Sequence, residues 1–271
     1  MWRSLFWIFL LSCGGGNPLE RAQADLAVGN WADAEANFRK ALDDHPDSVE
    51  ALYGLGWVYH LNGSSSRARD YFMRCLRVNA EDYRGYKGLG SLALGEGNFV
   101  VAVQRFNDAL QRKPNDPAVL NSMSLVHLGS GQFEKARELL MPLVLQYPTR
   151  GELSLNLAES HFRLKDYPAA LKTIDGALGQ RLDESRFRPL LHTLRALVLV
   201  RLTAGRLDLQ DCAATRLPLM ETLALADKEL DQAEALDPGL SNLSATRLRV
   251  HRRRSRILQD CPLLITDGSE L

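Results

Sequence analysis

Along most of this chain a small apolar residue is followed four positions later by a large one, and often three later by another small one. Ala34/Phe38/Ala41, Ala68/Phe72/Cys75, Ala102/Phe106/Ala109, Ala136/Leu140 and Ala170/Ile174/Ala177 follow this rule among polar neighbours. Spacings of four and three lie on one stripe of a helix, so each set predicts an amphipathic helix with one buried face. The sets are 34 residues apart. A second helix precedes each: Leu52, Leu55, Gly56 and Tyr59 mark one, and Tyr86, Leu89 and Gly90 the next. Gly29, Gly63, Gly97 and Gly131 fall between the paired helices, where a left-handed residue ends the first of them. Pro46, Pro114 and Pro148 follow three of the second helices and forbid their continuation. The predicted units are 15–48, 49–82, 83–116, 117–150 and 151–184. A fixed period of this length marks stacked helical hairpins, each covering the apolar face of its neighbour. Such arrays present surfaces and rarely carry chemistry.

The sixth unit breaks the period. Arg186 to Leu202 predicts its first helix, with apolar Leu190, Leu191, Leu194, Leu197 and Val198. The second-helix signature returns as Ala226, Leu230, Ala233 and Pro238, 22 residues late (at 226 where the period expects 204). The extra residues lie near Thr203 to Met220, and insertions into repeats map to loops. A final helix over 241–258 has Leu243, Val250, Ile257 and Leu258 for packing. Its other side carries Arg247, Arg249, Arg252, Arg253, Arg254 and Arg256. A polar outer face is what a terminal cap needs for solubility; the sharper alternative is contact with an anionic lipid or an acidic partner.

The period and its residue types resemble the tetratricopeptide repeat, a helix–turn–helix unit. The resemblance implies an all-α, right-handed solenoid spanning 19–238, with the interrupted sixth repeat, a basic capping helix over 239–260 and a tail over 261–271. It also implies a concave groove lined by the first helix of each repeat. Mapped onto this chain, the groove positions include Glu50, Tyr53, Trp57 and His60; Arg84, Lys87 and Ser91; Asn121, Ser122 and Leu125; and Asn156, Glu159 and Phe162. Tyr53 and Trp57 beside Arg84 and Lys87 suit an aromatic or acidic peptide segment. Asn121 and Asn156 suit an extended backbone. The alternative is that Trp57 packs on a neighbouring helix and the polar groups are only solvated. The carboxylate clamp of the chaperone-binding members is not reproduced, because Ser91 rather than Asn follows Lys87 by four residues.

Charge and candidate chemistry change this picture little. Lys plus Arg and Asp plus Glu both total 33, so no net field draws the chain to nucleic acid. No aromatic residue interleaves the terminal arginines, which argues the same way. The sequence contains no HExxH, GxSxG or Walker-type loop, so no catalytic residue, cofactor or metal site is expected. His127 and His161 share a repeat position but stand where Tyr59 packs, and read as packed side chains. Gly85, Gly88, Gly90, Gly95 and Gly97 follow no strand and do not form a phosphate loop. Cys75 replaces a core alanine and reads as a small buried residue.

The N-terminus predicts an address. Arg3 precedes an apolar run from Leu5 to Leu11, too short to span a bilayer. Leu10-Leu11-Ser12-Cys13 resembles the lipobox of bacterial lipoprotein signal peptides. The resemblance implies cleavage of 1–12, acylation of Cys13, a tether over 13–18 and a periplasm-facing outer-membrane location, since Gly14 is not the retaining Asp. In an oxidising compartment, Cys212 in the insertion and Cys261 past the last helix suggest a disulfide. The expected function is a lipid-anchored protein-binding scaffold assembling an envelope complex, such as a pilus, secretion or outer-membrane protein machine. Two alternatives are an adaptor in peptidoglycan or cell-division control, and a small enzyme with a site at Cys212. Oligomeric state is open.

Overall fold

The computed structural model describes residues 17–204, 206 and 212–261, the side chains of Cys212 and Ala213 excepted. Among these residues every regular element is a helix, and there are thirteen. The predicted signal segment and Cys13 lie outside the described residues, as does the tail beyond Cys261. The chain forms two compact units, Met1–Gly129 and Ser130–Leu271.

Unit 1 holds α1 (Pro18–Val28), α2 (Trp31–Asp44), α3 (Val49–Leu61), α4 (Ser65–Val78), α5 (Tyr83–Gly95), α6 (Phe99–Arg112) and α7 (Pro117–Gly129). Successive helices pack in chain order, and α3 also touches α1 and α5. Its turns repeat one chemistry: Gly29, Gly63 and Gly97 have φ of 82°, 73° and 73°, the left-handed values the sequence predicts. Ala34, Ala68 and Ala102 are fully buried, and Phe38, Phe72 and Phe106 are at most 1% exposed.

The glycines of the first helices explain how these rings fit. A Cβ on Gly56 would stand 2.3 Å from Phe72 Cε1, and one on Gly88 would stand 2.4 Å from Phe72 Cδ1. One phenylalanine edge therefore sits against glycine backbone from its own hairpin and from the next. Gly88 and Gly90 lie inside α5, buried against Phe72 and Phe106 respectively. Cys75 is fully buried; burial pushes its thiol up to about 12, and its Sγ lies 3.8 Å from the Val49 carbonyl.

Unit 2 holds α8 (Phe133–Gln146), α9 (Gly151–Arg163), α10 (Tyr167–Leu178), α11 (Phe187–Leu202), α12 (Cys212–Leu236) and α13 (Leu243–Asp260). Ala136, Leu140, Ala170 and Ile174 are fully buried and keep the periodic pattern. Between α9 and α10 the left-handed position is Lys165, with φ of 63°, where the period elsewhere places glycine. The insertion departs from expectation. Residues 212–220 are not a loop but the first turns of a 25-residue α12. Leu219 and Leu223 extend the apolar stripe of Ala226, Leu230 and Ala233 backwards at helical spacing, so the added turns have a core to cover. Pro218 lies within this helix and supplies no N–H to the ladder; the Thr222 hydroxyl donates to the Pro218 carbonyl at 2.8 Å.

α13 packs on both α11 and α12. Leu243, Thr246, Val250 and Ile257 are its buried stripe, whereas Leu258, expected to pack, is 39% exposed. The turn before α13 is set by Asn242 at φ 78°.

Candidate protein-binding site

In unit 1, Tyr53, Trp57 and His60 lie one helical turn apart on α3. Their rings meet edge to face: Tyr53 and Trp57 at 6.1 Å, Trp57 and His60 at 5.2 Å. Tyr53 and Trp57 also abut Phe72, at 5.8 and 6.2 Å. Both are half-buried, packed against the core on one side. Burial pushes the Tyr53 hydroxyl up and the His60 imidazole down from their ordinary values.

Arg84 lies at the start of α5 and is committed within the protein. It pairs with Glu50 of α3 and with Asp82, both at 2.6 Å. Asp82 is also the α5 N-cap, accepting the Arg84 backbone N–H at 2.9 Å. Arg84 thus ties two first helices together, and its charge is spent before any partner arrives. Lys87, one turn on, places its Nζ 5.9 Å from the Tyr53 ring centre. Asn121 and Leu125 lie a turn apart on α7, and Leu125 is 37% exposed. Unit 1 therefore brings Tyr53, Trp57, His60, Arg84 and Lys87 together on α3 and α5, largely in mutual contacts.

Unit 2 carries a concavity at its own groove positions. Asn156 and Glu159, on α9, line a cleft of about 470 Å³ with α11 and the start of α13. Its apolar lining is Leu155, Leu190, Leu194, Leu197 and Leu240; Thr193, Asn242 and Arg249 add polar groups. Burial pushes the Glu159 carboxyl above its ordinary value, against the pull of Arg163 at 3.4 Å. A mostly apolar concavity with a few polar groups is what a partner side chain needs for both affinity and orientation. The groove mapping located Asn156 and Glu159. It missed Leu240, Asn242 and Arg249, because they follow the broken period and only the fold of α13 brings them to α9.

The six terminal arginines divide into two groups. Arg247 pairs with Asp231 and Glu234 at 2.8 Å each, and Arg254 pairs with Asp227. Arg253 donates to the Thr203 carbonyl at the end of α11. These three fasten α13 to the helices beneath it. Arg249, Arg252 and Arg256 are exposed and make no hydrogen bond or ion pair with any described residue.

A polar cluster joins α11 and α12. Glu229 of α12 is 3% exposed and accepts from His192 Nδ1 at 2.7 Å and from Arg195, both on α11. Burial raises its carboxyl pKa, but the bonds from His192 and Arg195 outweigh this and hold it below the ordinary value. Cys261, 1% exposed at the end of α13, is disulfide-bonded. The Cys212 side chain, on which the expected pairing and the enzymatic alternative both rest, lies outside the described residues.

Comparison with known proteins agrees with the helical period. Models of the tetratricopeptide repeat match residues 19–75, 65–117 and 93–152. The chain is 28% identical over 122 residues to the CTR9 homolog of Arabidopsis thaliana, covering 43% of this chain and 11% of that protein. It is 29% identical over 164 residues to cellulose synthase operon protein C of Pseudomonas fluorescens, covering 53% of this chain and 13% of that one. The chain thus spans only a small part of these relatives.

Among solved structures, the Cut9 and Hcn1 tetramer of the APC/C aligns with a TM-score of 0.68 at 19% identity, over 86% of this chain and 42% of that one. Pseudomonas aeruginosa PilF aligns at 0.62 and 19%, over 88% of this chain and 96% of its own. PilW, a type IV pilus biogenesis factor, aligns at 0.64 and 14%, over 84% of this chain and 96% of its own. At these identities the structural likeness establishes the fold alone. Tetratricopeptide arrays act as protein-interaction scaffolds, and no catalytic family is indicated for this chain. Residues 19–152 are therefore an array of tetratricopeptide repeats, and the chain has the all-α tetratricopeptide fold.

Proposed function

We propose that this protein is a lipid-anchored scaffold of the bacterial envelope, holding a segment of a partner protein during assembly of a pilus or secretion complex. The observation that carries the binding role is the unit 2 cleft, where Asn156 and Glu159 border an apolar floor of leucines. A partner side chain entering it removes apolar surface from water. The envelope role is supported by the Leu10-to-Cys13 motif and by the fold shared with PilF and PilW. On this reading Cys13 carries the acyl chains, which at about 0.8 kcal/mol per buried CH₂ hold the chain at the membrane. Cys212 is the partner of Cys261.

Three experiments test it. Crosslinked purification from membranes is compared between wild type and an Asn156→Ala/Glu159→Ala variant; equal recovery of the same partner by both removes the cleft from the function. Fatty-acid labelling and membrane fractionation are compared with Cys13→Ala. A variant that stays in the membrane, together with an unlabelled wild type, ends the anchor reading. Peptide mapping without reductant should recover one Cys212–Cys261 linked peptide, and a Cys261 joined elsewhere would reject that pairing.

A further inference from the structure

Arg249 belongs to two features at once. It borders the cleft with Asn156 and Glu159, and it begins the exposed stripe that continues through Arg252 and Arg256 on α13. Positions i, i+3 and i+7 lie along one side of a helix, and here they extend about 10 Å at 1.5 Å per residue. Ser255 and Gln259 border the same shallow surface, with exposed Leu248 at its edge. The other three arginines of α13 are consumed by Asp227, Asp231, Glu234 and the Thr203 carbonyl. The stripe therefore leaves three guanidinium forks directed outward in a chain whose total charge is zero. Arginine is suited to such a place because its planar fork matches a carboxylate bidentately.

We infer that the cleft and the stripe form one continuous site for an acidic polypeptide segment: an apolar side chain enters the cleft, and carboxylates at alternate positions pair with Arg249, Arg252 and Arg256. This rests on the cleft being a partner site, as proposed above. Alternate residues of an extended chain stand about 6.6 Å apart on one face, a repeat that flexible arginine side chains on successive turns follow. A membrane surface is the other anion such a stripe attracts. The shared Arg249 favours a peptide, because a lipid headgroup plane cannot follow the stripe into a concavity between α9, α11 and α13, whereas a peptide can.

The test uses the intact protein and a fluorescent peptide of two leucines followed by three glutamates at alternate positions, together with its reversed sequence. A control carries glutamine for glutamate. Affinity is read by anisotropy across a salt series. Ala245 is exposed and lines the cleft, so Ala245→Trp fills it without disturbing the core. Arg249→Gln/Arg252→Gln/Arg256→Gln removes the stripe without touching a buried contact. In wild type at least one order of the acidic peptide binds, and more weakly as salt rises. The glutamine control binds roughly tenfold more weakly, and the triple variant loses roughly tenfold for the acidic peptide along with its salt dependence. Ala245→Trp abolishes binding of both peptides.

Equal affinity for the acidic and glutamine peptides, both lost in Ala245→Trp, overturns the acidic specificity and leaves the cleft standing. Binding that survives Ala245→Trp, or no binding of any peptide, overturns the cleft and the inference together. In a parallel arm with phosphatidylglycerol vesicles, a triple variant that loses vesicle binding while keeping the acidic peptide assigns the stripe to the membrane and overturns the inference.

Discussion

The contact of Phe72 with two glycine backbones gives a quantitative prediction. Gly88 lies inside α5, and by helix propensity alone Gly88→Ala stabilises by about 1 kcal/mol. The structure predicts the opposite sign. The new Cβ would stand 2.4, 2.5 and 2.6 Å from Phe72 Cδ1, Cε1 and Cγ, about 1 Å inside ordinary contact. The ring has no free space to move into, because it is fully buried and packed against the Tyr53 and Trp57 rings. Overpacking at the upper end of its usual range, about 3 kcal/mol, outweighs the propensity gain and leaves a net loss of about 2 kcal/mol. Phe72→Leu removes the conflicting edge. In that background Gly88→Ala should recover the propensity gain and stabilise by about 1 kcal/mol, a coupling of about 3 kcal/mol between the two positions. Guanidinium unfolding of the four proteins, followed by far-ultraviolet circular dichroism and by tryptophan fluorescence, measures it. Trp57 packs 6.2 Å from Phe72 and reports on the same region. A midpoint that rises on Gly88→Ala in the wild-type background, or a coupling near zero, refutes the packing argument.

Three further predictions concern unit 2 and the thiols. Lys165 holds a left-handed φ of 63° between α9 and α10, so Lys165→Gly should stabilise by about 1 kcal/mol, seen as a thermal midpoint 2–4 °C higher; no change would mean the turn relaxes at no cost. Glu229→Ala removes the 3%-exposed carboxylate that His192 and Arg195 share, leaving the half-buried Arg195 with Asp175 alone, and should cost about 2 kcal/mol at pH 7 in denaturant titrations. Because the folded Glu229 pKa lies below its unfolded value, the cluster's contribution is fully present above about pH 4.5 and is lost as pH falls through the folded value, so wild type and Glu229→Ala should converge in acid; a constant gap from pH 7 to pH 3 contradicts this. Cys75, buried and with its thiol pushed up to about 12, should resist iodoacetamide at pH 8 when folded and react once urea unfolds the chain, whereas rapid labelling of the folded protein would show the site is open.

How much of this was legible beforehand differs between the two units. Ala34, Ala68, Ala102, Ala136 and Ala170 are all fully buried, and Gly29, Gly63, Gly97 and Gly131 all take positive φ, as the period predicts. Those features depend on neighbours a fixed distance along the chain, so a repeating sequence carries them. The roles of the groove residues were less visible. Arg84 reads as a cation available to a partner, yet Glu50, 34 residues away, occupies it; that pairing becomes short only when successive hairpins stack.

The end of the chain shows the boundary most clearly. Its residues announce a basic, half-apolar helix, and that much the local spacing determines. Which arginines are internal fasteners and which face outward was decided by the docking of α13. That docking brings Arg247 and Arg254 to carboxylates of α12, carries Arg253 to Thr203, and leaves Arg249, Arg252 and Arg256 without a described partner. The same docking builds the cleft, by placing Leu240 and Asn242 opposite Asn156 and Glu159. Periodicity fixes what each helix buries, because burial follows a helix's own repeat. Which surface charges remain unpaired, and where a concavity opens, depend on contacts between helices far apart in sequence, and the folded chain alone supplies those.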